Sequence, residues 1–298
     1  MPNLFTHQIL AEKVKELLPE RTLRYITRDG DYFLGAQGGD VFYLYKMREG
    51  QKNLGKYLHR KNVYTVFSRF LKAAESGDEV VTSYVAGYIT HYAGDIVFHP
   101  YVYELLNRFE IEDTDNWKGN RHALIESDMD GYFVRKFKGI SPLAYKFPLS
   151  YSDISVESLF RLMEFSTGER AKQNVSMHAF KTALKRFFQY NRWLSDRTGR
   201  KRKFVYRSEK LFKIPHTLSS LIHRENYDEK YFNGDHAPWR HPGDDSLVFT
   251  DGIDELFSRA LSESVRLITR FFDCLEKAMP LDPADFSKHF LTGLPIEN

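Results

Sequence analysis

The chain has 298 residues, of which 42% are hydrophobic and 15% are aromatic, so it is long enough to bury a substantial core. This composition excludes a disordered or low-complexity protein. The 43 basic and 40 acidic residues leave a formal net charge of only +3, so no stable complex with nucleic acid is expected. Cys274 is the only cysteine, which excludes an intramolecular disulfide and a site built from several thiolates.

The N-terminal segment mixes charged and apolar residues and lacks the basic start, apolar core and small-residue cleavage site of a secretion signal. No window approaches the roughly 18 uncharged apolar residues that a membrane-spanning helix requires. We therefore expect a cytoplasmic protein without a transmembrane segment.

Apolar residues recur at three- and four-residue spacing along most of the chain, which predicts an all-α fold. Thr6 is the predicted N-cap of a first helix that begins at His7, and short strands are predicted at residues 25–27 and 41–45. We expect a single multi-helix bundle over residues 1–298, in which residues 1–131 carry the chemical site and helices from about residue 153 onward complete the bundle. The later helices are predicted at residues 54–74, 79–100, 119–131, 153–168, 175–196, 208–225 and 251–278.

The densest chemical signal is HYAGDIVFHP, residues 91–100. Positions four and eight apart in a helix differ by about 40° and 80°, so His91, Asp95 and His99 share one helix face. His122 and Glu126 repeat the four-residue spacing. Such a pair is usually a solvated side-chain pair, but the first set lies among apolar residues, where unpaired ionisable groups are costly. Imidazole and carboxylate ligands suit zinc, with iron or manganese as alternatives.

Three upstream residues offer the same ligand chemistry. His7 opens the first predicted helix, Asp40 follows the glycine-rich segment GAQGG, and His59 lies in the second long predicted helix. Taken singly, each has an ordinary structural interpretation. The glycine-rich segment lacks the Gly-Lys-Ser/Thr ending of a phosphate loop, so we interpret it as a flexible passage that brings Asp40 close to the other ligands.

In this order the residues resemble the zinc-dependent phospholipase C family, helical phosphodiesterases whose relatives include single-strand-specific nucleases. The family pattern runs from an early His at a helix start, through an Asp before an aromatic-rich segment and a further His, to His-Tyr-x-Gly-Asp, Pro and His-x-x-x-Glu. Over about residues 5–131 the matching positions are His7, Asp40, His59, His91, Asp95, Pro100, His122 and Glu126.

The chain departs from the family pattern in two places. Secreted members bind one ion through the amino group of a processed N-terminus, whereas here Met1 precedes His7 without a visible processing site. Those members also carry a His just after the proline, where this chain has Tyr101. His99, just before the proline, is the available substitute.

The resemblance implies two or three zinc ions. One site would consist of Asp40, His59, His91 and Asp95, its neighbour of His99, His122 and Glu126, and a third ion would join His7 through a bridging Asp95. Asp40 is the implied catalytic residue, which orients or deprotonates the attacking water.

The function implied by the resemblance is metal-dependent hydrolysis of a phosphoester, either a phospholipid head group or a nucleotide-like substrate. A nuclease-like phosphodiesterase is the nearest alternative. The alternative of a different class is a non-catalytic binding protein that retains the fold and a structural metal, because a fold does not guarantee its chemistry.

Two further segments have both a functional and a structural interpretation. The basic run at residues 197–207 is a candidate contact for phosphate or anionic lipid, weighed against a solvated loop between helices. Trp239, in a turn-rich segment, offers either an aromatic face to a cationic group or a buried anchor for a structural loop.

Overall fold

The structure of the protein, a computed structural model, describes residues 4–43, 54–59, 63–112, 121–167 and 176–296. In these residues thirteen α-helices surround a core, and the β-structure comprises a two-stranded antiparallel sheet, which confirms the all-α prediction. The helices are α1 (Leu4–Leu17), α2 (Glu20–Leu23), α3 (Asp29–Gly35), α4 (Leu54–Leu58), α5 (Val63–Ala74), α6 (Glu79–Glu112), α7 (Arg121–Lys138), α8 (Val156–Thr167), α9 (Met177–Leu194), α10 (Arg200–Leu211), α11 (Thr217–Leu221), α12 (Ile253–Glu276) and α13 (Pro283–Phe286). Strands β1 (Trp239–His241) and β2 (Asp244–Phe249) form the sheet, and short 3-10 helices occupy Gly38–Phe42, Tyr151–Asp153 and Glu229–Tyr231.

Helix α6 runs through the centre of the fold. It is 34 residues long, and α3 and α12 pack extensively against it. Every residue from position 81 to position 96 of α6 is buried. A helix that buries side chains around its circumference belongs to the interior of a protein. The residues of the HYAGD segment therefore lie at the core of the molecule rather than on its surface.

Pro100 lies inside α6, which continues beyond the predicted end at this residue. A proline has no N–H group, so the carbonyl of Ile96 loses its usual partner four residues ahead. The backbone of Gly293 approaches that carbonyl so closely that a Cβ atom would lie 2.4 Å from the Ile96 oxygen. Packing by the C-terminal segment thus occupies the place where the helix ladder is interrupted.

Helix α1 begins earlier than predicted, at Leu4, so the prediction that Thr6 is its N-cap is wrong. The backbone N–H groups of Phe5 and Thr6 donate to the carboxylate of Asp130 on α7, over 3.2 and 2.6 Å. The first N–H groups of a helix have no partner within the helix, so a side chain from elsewhere can satisfy them. A carboxylate from α7 therefore satisfies two of these donors.

Both predicted strands are wrong in the described residues. Tyr25 lies in the turn after α2, whereas Val41 and Phe42 lie in a 3-10 helix and are buried; residues 44–45 lie outside the described ranges. Aromatic and β-branched residues favour strands, but burial here stabilises a helical turn instead.

Two predicted helices are each divided. The helix predicted at 54–74 consists of α4 and α5, and the helix predicted at 208–225 consists of the end of α10 and the separate α11. Pro215 lies between α10 and α11, where its ring and missing N–H prevent a continuous helix. The basic run at 197–207 is largely helical, so its interpretation as a loop is wrong.

The C-terminal part packs onto α6 from two directions. Helix α12 lies along α6 and also contacts α1. Trp239 of β1 is only 3% exposed, donates from Nε1 to the Asp251 carbonyl over 3.1 Å and stacks on Phe249. Its ring is therefore a buried anchor. Among the described residues, no helix is long and apolar enough to cross a membrane.

Candidate metal centre

Four parts of the chain bring the predicted ligands together around α6. Helix α1 supplies His7, the 3-10 helix Gly38–Phe42 supplies Asp40, and the residue after α4 is His59. Helix α7 supplies His122 and Glu126, and α6 itself supplies His91, Asp95 and His99. In three groups of three, ligand atoms lie within 4.8 Å of one another: His7, His91 and Asp95; Asp40, His59 and His91; and His99, His122 and Glu126.

The carboxylate of Asp95 lies at the centre of this arrangement. Its Oδ1 is 3.3 Å from His7 Nε2 and 3.8 Å from His99 Nδ1. Its Oδ2 is 3.2 Å from His91 Nε2 and 3.6 Å from His59 Nε2. The two oxygens of one carboxylate therefore face two different pairs of imidazoles, as a side chain shared between two sites would.

The helix geometry predicted from the sequence is present. His91 and Asp95 approach one another on α6, and His99 lies one further turn along the same face. His99 Nε2 is 3.8 Å from Glu126 Oε1, and His122 Nε2 is 2.6 Å from the same oxygen. His99 thus lies beside the α7 pair.

Several buried polar atoms of the centre have no hydrogen-bond partner, and this is a test of whether the residues fit a metal. They are His7 Nδ1, His91 Nδ1, Asp40 Oδ1, Asp95 Oδ2 and Glu126 Oε2. Burying the carboxylate oxygens of Asp40, Asp95 and Glu126 without a partner is costly, and a cation shared with the neighbouring imidazole nitrogens offsets that cost. The donor set contains imidazoles and carboxylates alone, which suits zinc. The residues therefore fit a cluster of divalent cations.

Backbone carbonyls orient two of the histidines. The Nδ1 of His59 lies 2.7 Å from the Gly55 oxygen, and the Nδ1 of His99 lies 2.8 Å from the Phe290 oxygen. When Nδ1 of a neutral imidazole donates to a carbonyl, the lone pair is on Nε2. In both residues Nε2 points toward the other ligands, so these carbonyls favour the tautomer that binds a metal.

Two glycines let the Asp40 segment approach the histidines. A Cβ atom on Gly38 would lie 1.9 Å from the ring of His91, and one on Gly39 would lie 2.6 Å from the ring of His59. Gly38 also has a φ of +53°, a backbone angle that residues other than glycine rarely adopt. The close backbone passage predicted for the glycine-rich segment is confirmed. Its interpretation as a flexible segment is wrong, because Gly38–Phe42 forms a buried 3-10 helix.

A scan against family models finds one that matches residues 6–195 and describes zinc-dependent phospholipase C. The chain belongs to the zinc-dependent phospholipase C family. Searches of curated proteins and of solved structures find no match. The match covers well over half of the chain and extends beyond the segment that carries the sequence motifs. Together with the three ligand groups, it supports a metal-dependent hydrolase.

The electrostatics around Asp95 favour its ionised form. Burial raises the pKa of this carboxyl, but the surrounding histidines, His91 and His99 foremost, bring the pKa well below its usual range. Burial alone would lower the pKa of His7, but hydrogen bonding to Asp95 outweighs the effect of burial, and the net result is a raised pKa. The pKa of His59 is raised in the same way, against the effect of burial, by Asp95 and Asp40. The central carboxylate thus stabilises positive charge around it.

Three other ligands respond mainly to burial. Burial lowers the pKa of His91 well below its usual range and also lowers the pKa of His99. Burial raises the pKa of Asp40 to about 7, against the opposing effect of His59. His91 and His99 are therefore held neutral, which is the form that coordinates a metal, whereas Asp40 takes up a proton easily in the absence of a cation.

Sequence reasoning did not assign a role to two residues that support the site. Asp130 follows Glu126 by one turn of α7, but it anchors the start of α1 and also accepts from His223 Nε2 over 2.8 Å. Phe290 positions His99 through its carbonyl and places its ring 4.8 Å from the ring of His59. The four-residue spacing marks Asp130 in the sequence, whereas no pattern marks Phe290.

Proposed function

We propose that the protein hydrolyses a phosphodiester with the help of two or three zinc ions, in the manner of a phospholipase C. The observation that carries the proposal is the position of the Asp95 carboxylate, whose Oδ1 faces Nε2 of His7 and whose Oδ2 faces Nε2 of His59 and His91. A carboxylate placed in this way suits adjacent cations better than a single one. Clustered divalent cations, when bound, neutralise the charge of a phosphodiester and lower the pKa of water.

The proposed ligand sets follow the three groups of side chains. Asp40, His59 and His91 would hold one ion, and His99, His122 and Glu126 would hold its neighbour on the α7 side of the centre. His7, His91 and Asp95 form the third group that could hold an ion. Iron or manganese are the alternative metals for such nitrogen and oxygen ligands.

Asp40 is the proposed catalytic residue. Its Oδ1 is buried without a hydrogen-bond partner and lies 3.4 Å from His59 Nε2, so one carboxylate oxygen serves as a ligand. The other oxygen orients the attacking water and accepts its proton.

A cavity of about 670 Å³ is the proposed place for the organic part of the substrate. Its lining includes Ala123 and Ser127, which follow His122 and Glu126 on α7, and Phe5, which precedes His7 by two residues on α1. A volume of this size is typical of small-molecule sites. Other lining residues are the apolar Leu4, Phe147, Leu149, Phe188 and Leu194 and the exposed basic Lys146, Lys185, Arg192 and Arg197.

This lining favours an amphiphilic phosphoester over a nucleic-acid strand. The apolar walls suit an acyl chain or another hydrocarbon group, and the basic side chains at the exposed edge suit an anionic head group. Tyr145 and Asn191 also line the cavity, and each has a buried polar atom without a hydrogen-bond partner. A substrate with one or two polar groups near its apolar part would satisfy these atoms.

The test compares three substrates under one set of conditions. Purified protein loaded with zinc is assayed for hydrolysis of bis-p-nitrophenyl phosphate, release of the phosphorylated head group from phosphatidylcholine micelles, and degradation of single-stranded DNA. We expect turnover of the first two, loss of turnover on chelation and its return when zinc is restored. Preferential degradation of DNA would support the nuclease-like alternative. Bound zinc without turnover of any substrate would support a binding protein with a structural metal.

A further inference from the structure

Helix α10 presents a face to solvent that combines basic and large apolar side chains. Phe204 and Leu211 are 72% and 76% exposed. They are seven residues apart, which places them about 20° apart around the helix. Arg200 and Arg207 lie within about 60° of Phe204 on the same helix, so positive charge flanks the apolar side chains.

The apolar surface continues beyond the end of α10. Phe212 and Ile214 are 70% and 52% exposed, and Leu218 at the start of α11 is 46% exposed. Singly exposed apolar residues are ordinary, but a run of large ones marks an interaction surface. We call the surface formed by Phe204, Leu211, Phe212, Ile214 and Leu218, with the basic side chains around them, the α10 surface.

The charge of the α10 surface has one sign. Five exposed basic residues belong to it, and within the described part of the chain none of them forms an ion pair. They are Arg200, Lys203, Arg207, Lys210 and Lys213. Glu209 is the only acidic residue between positions 200 and 218, and it is 3% exposed. The surface therefore attracts an anionic partner without an internal counter-charge.

The opposite face of α10 holds the helix in this orientation. The Glu209 carboxylate accepts from the backbone N–H groups of Leu218 and Ser219, over 2.8 and 3.3 Å. At the start of the helix, Asp196 accepts from the Arg202 N–H over 2.7 Å. Since buried contacts fix the inner face, the apolar and basic side chains remain directed outward.

We propose that the α10 surface docks the protein on an anionic lipid bilayer. A basic amphipathic helix with Phe and Leu on its exposed face has the composition of an interfacial helix, whose apolar side chains enter the boundary between head groups and acyl chains. Anionic head groups match the five unpaired basic side chains. Nucleic acid would satisfy the charge but offers no hydrocarbon phase for the exposed aliphatic side chains Leu211, Ile214 and Leu218.

The proposal does not depend on the proposed hydrolase activity. Helix α10 lies after the last residue matched by the family model, and docking requires no metal.

The experiment measures cosedimentation of the full chain with large unilamellar vesicles. Vesicles of phosphatidylcholine alone are compared with vesicles that also contain phosphatidylglycerol, at low and high salt. We expect binding to the anionic vesicles and weaker binding at high salt, because salt screens exposed charges. Failure of the unmodified protein to bind anionic vesicles at low salt would overturn the proposal.

Matched variants separate the α10 surface from the rest of the molecule. Arg207→Glu should weaken binding at least about tenfold because it replaces attraction with repulsion, and Leu211→Ser should weaken it about fivefold. Two control variants lie elsewhere: Lys72→Glu changes an exposed lysine on α5, and Leu17→Ser changes a leucine on α1 that is 59% exposed. Both should bind vesicles like the unmodified protein. Equal binding by all four variants would contradict the proposal. A second outcome would also contradict it: Leu211→Ser binds vesicles normally, and single-stranded DNA displaces the protein from the vesicles. Charge alone would then explain the binding.

Discussion

Asp130 of α7 accepts hydrogen bonds from both the backbone N–H and the hydroxyl of Thr6, over 2.6 and 2.7 Å. Thr6 immediately precedes His7, so this carboxylate positions the start of α1 and with it the proposed ligand His7. The two residues are 124 positions apart in the sequence. A candidate ligand on one helix is thereby positioned by a charged side chain on another.

Asp130→Asn should destabilise the fold, because the amide offers one acceptor oxygen to several donors. We expect the free energy of unfolding to fall by about 1–3 kcal/mol, the cost of leaving buried donors without an acceptor. Urea denaturation measures this change. Asp245→Asn alters an exposed carboxylate on β2 and should change stability by less than about 0.5 kcal/mol. Equal stability of the two variants would show that the carboxylate does not hold α1.

Asp95→Asn should lose bound zinc and activity together. The substitution removes the negative charge that faces His7, His91, His59 and His99, and the repulsion between neighbouring cations would then rise. We expect the turnover of a soluble phosphodiester to fall at least about a hundredfold. Elemental analysis and the activity assay provide the measurement, with Asp29→Asn, a carboxylate 62% exposed, as the control. Full zinc content in Asp95→Asn would argue against a bridging role.

Gly38→Ala should weaken zinc binding, since the new Cβ atom would collide with the ring of His91. Gly77 is a matched control because it also has a positive φ, +71° against +53°, but has open space around its Cα. Both variants should lose about 1 kcal/mol of stability from backbone strain. Only Gly38→Ala should also lose zinc affinity, measured by titration with a chromophoric chelator. Similar affinities in the two variants would mean that the close passage is not needed for binding.

Zinc binding should weaken as the pH falls through about 7. Burial raises the pKa of Asp40 to about 7, so in the absence of a cation this carboxyl becomes protonated below that pH. A ligand must be deprotonated to bind, and zinc therefore competes with a proton. Between about pH 8 and pH 6, the zinc affinity of the unmodified protein should fall more steeply than that of Asp40→Asn, which has no proton to lose there. Parallel pH profiles measured by isothermal titration calorimetry would exclude Asp40 as the titrating ligand.

The sequence predicts those parts of the centre that depend on local spacing. His91, Asp95 and His99 lie on one face because helical periodicity requires it, and the all-α class follows from the same periodicity. The assignment of each ligand to an ion and the single-domain organisation remain predictions.

Contacts between distant parts of the chain escape such reasoning. Phe290 reaches His99 across 191 positions, and no periodicity records that contact. The strand predicted at 41–45 fails for the same reason, since burial of Val41 and Phe42 against the rest of the core outweighs their local preference. The sequence of the basic run at 197–207 does not reveal that Arg200 and Arg207 flank Phe204, because that arrangement follows only from the helix that the run forms.

X-ray diffraction from crystals grown with excess zinc, recorded above and below the zinc absorption edge, tests the metal centre most directly. We expect at least two anomalous peaks, one between Asp40, His59 and His91 and one between His99, His122 and Glu126. A further peak between His7 and Asp95 would mark the third ion. The absence of any anomalous peak among these residues would contradict the zinc centre and the hydrolytic function built on it.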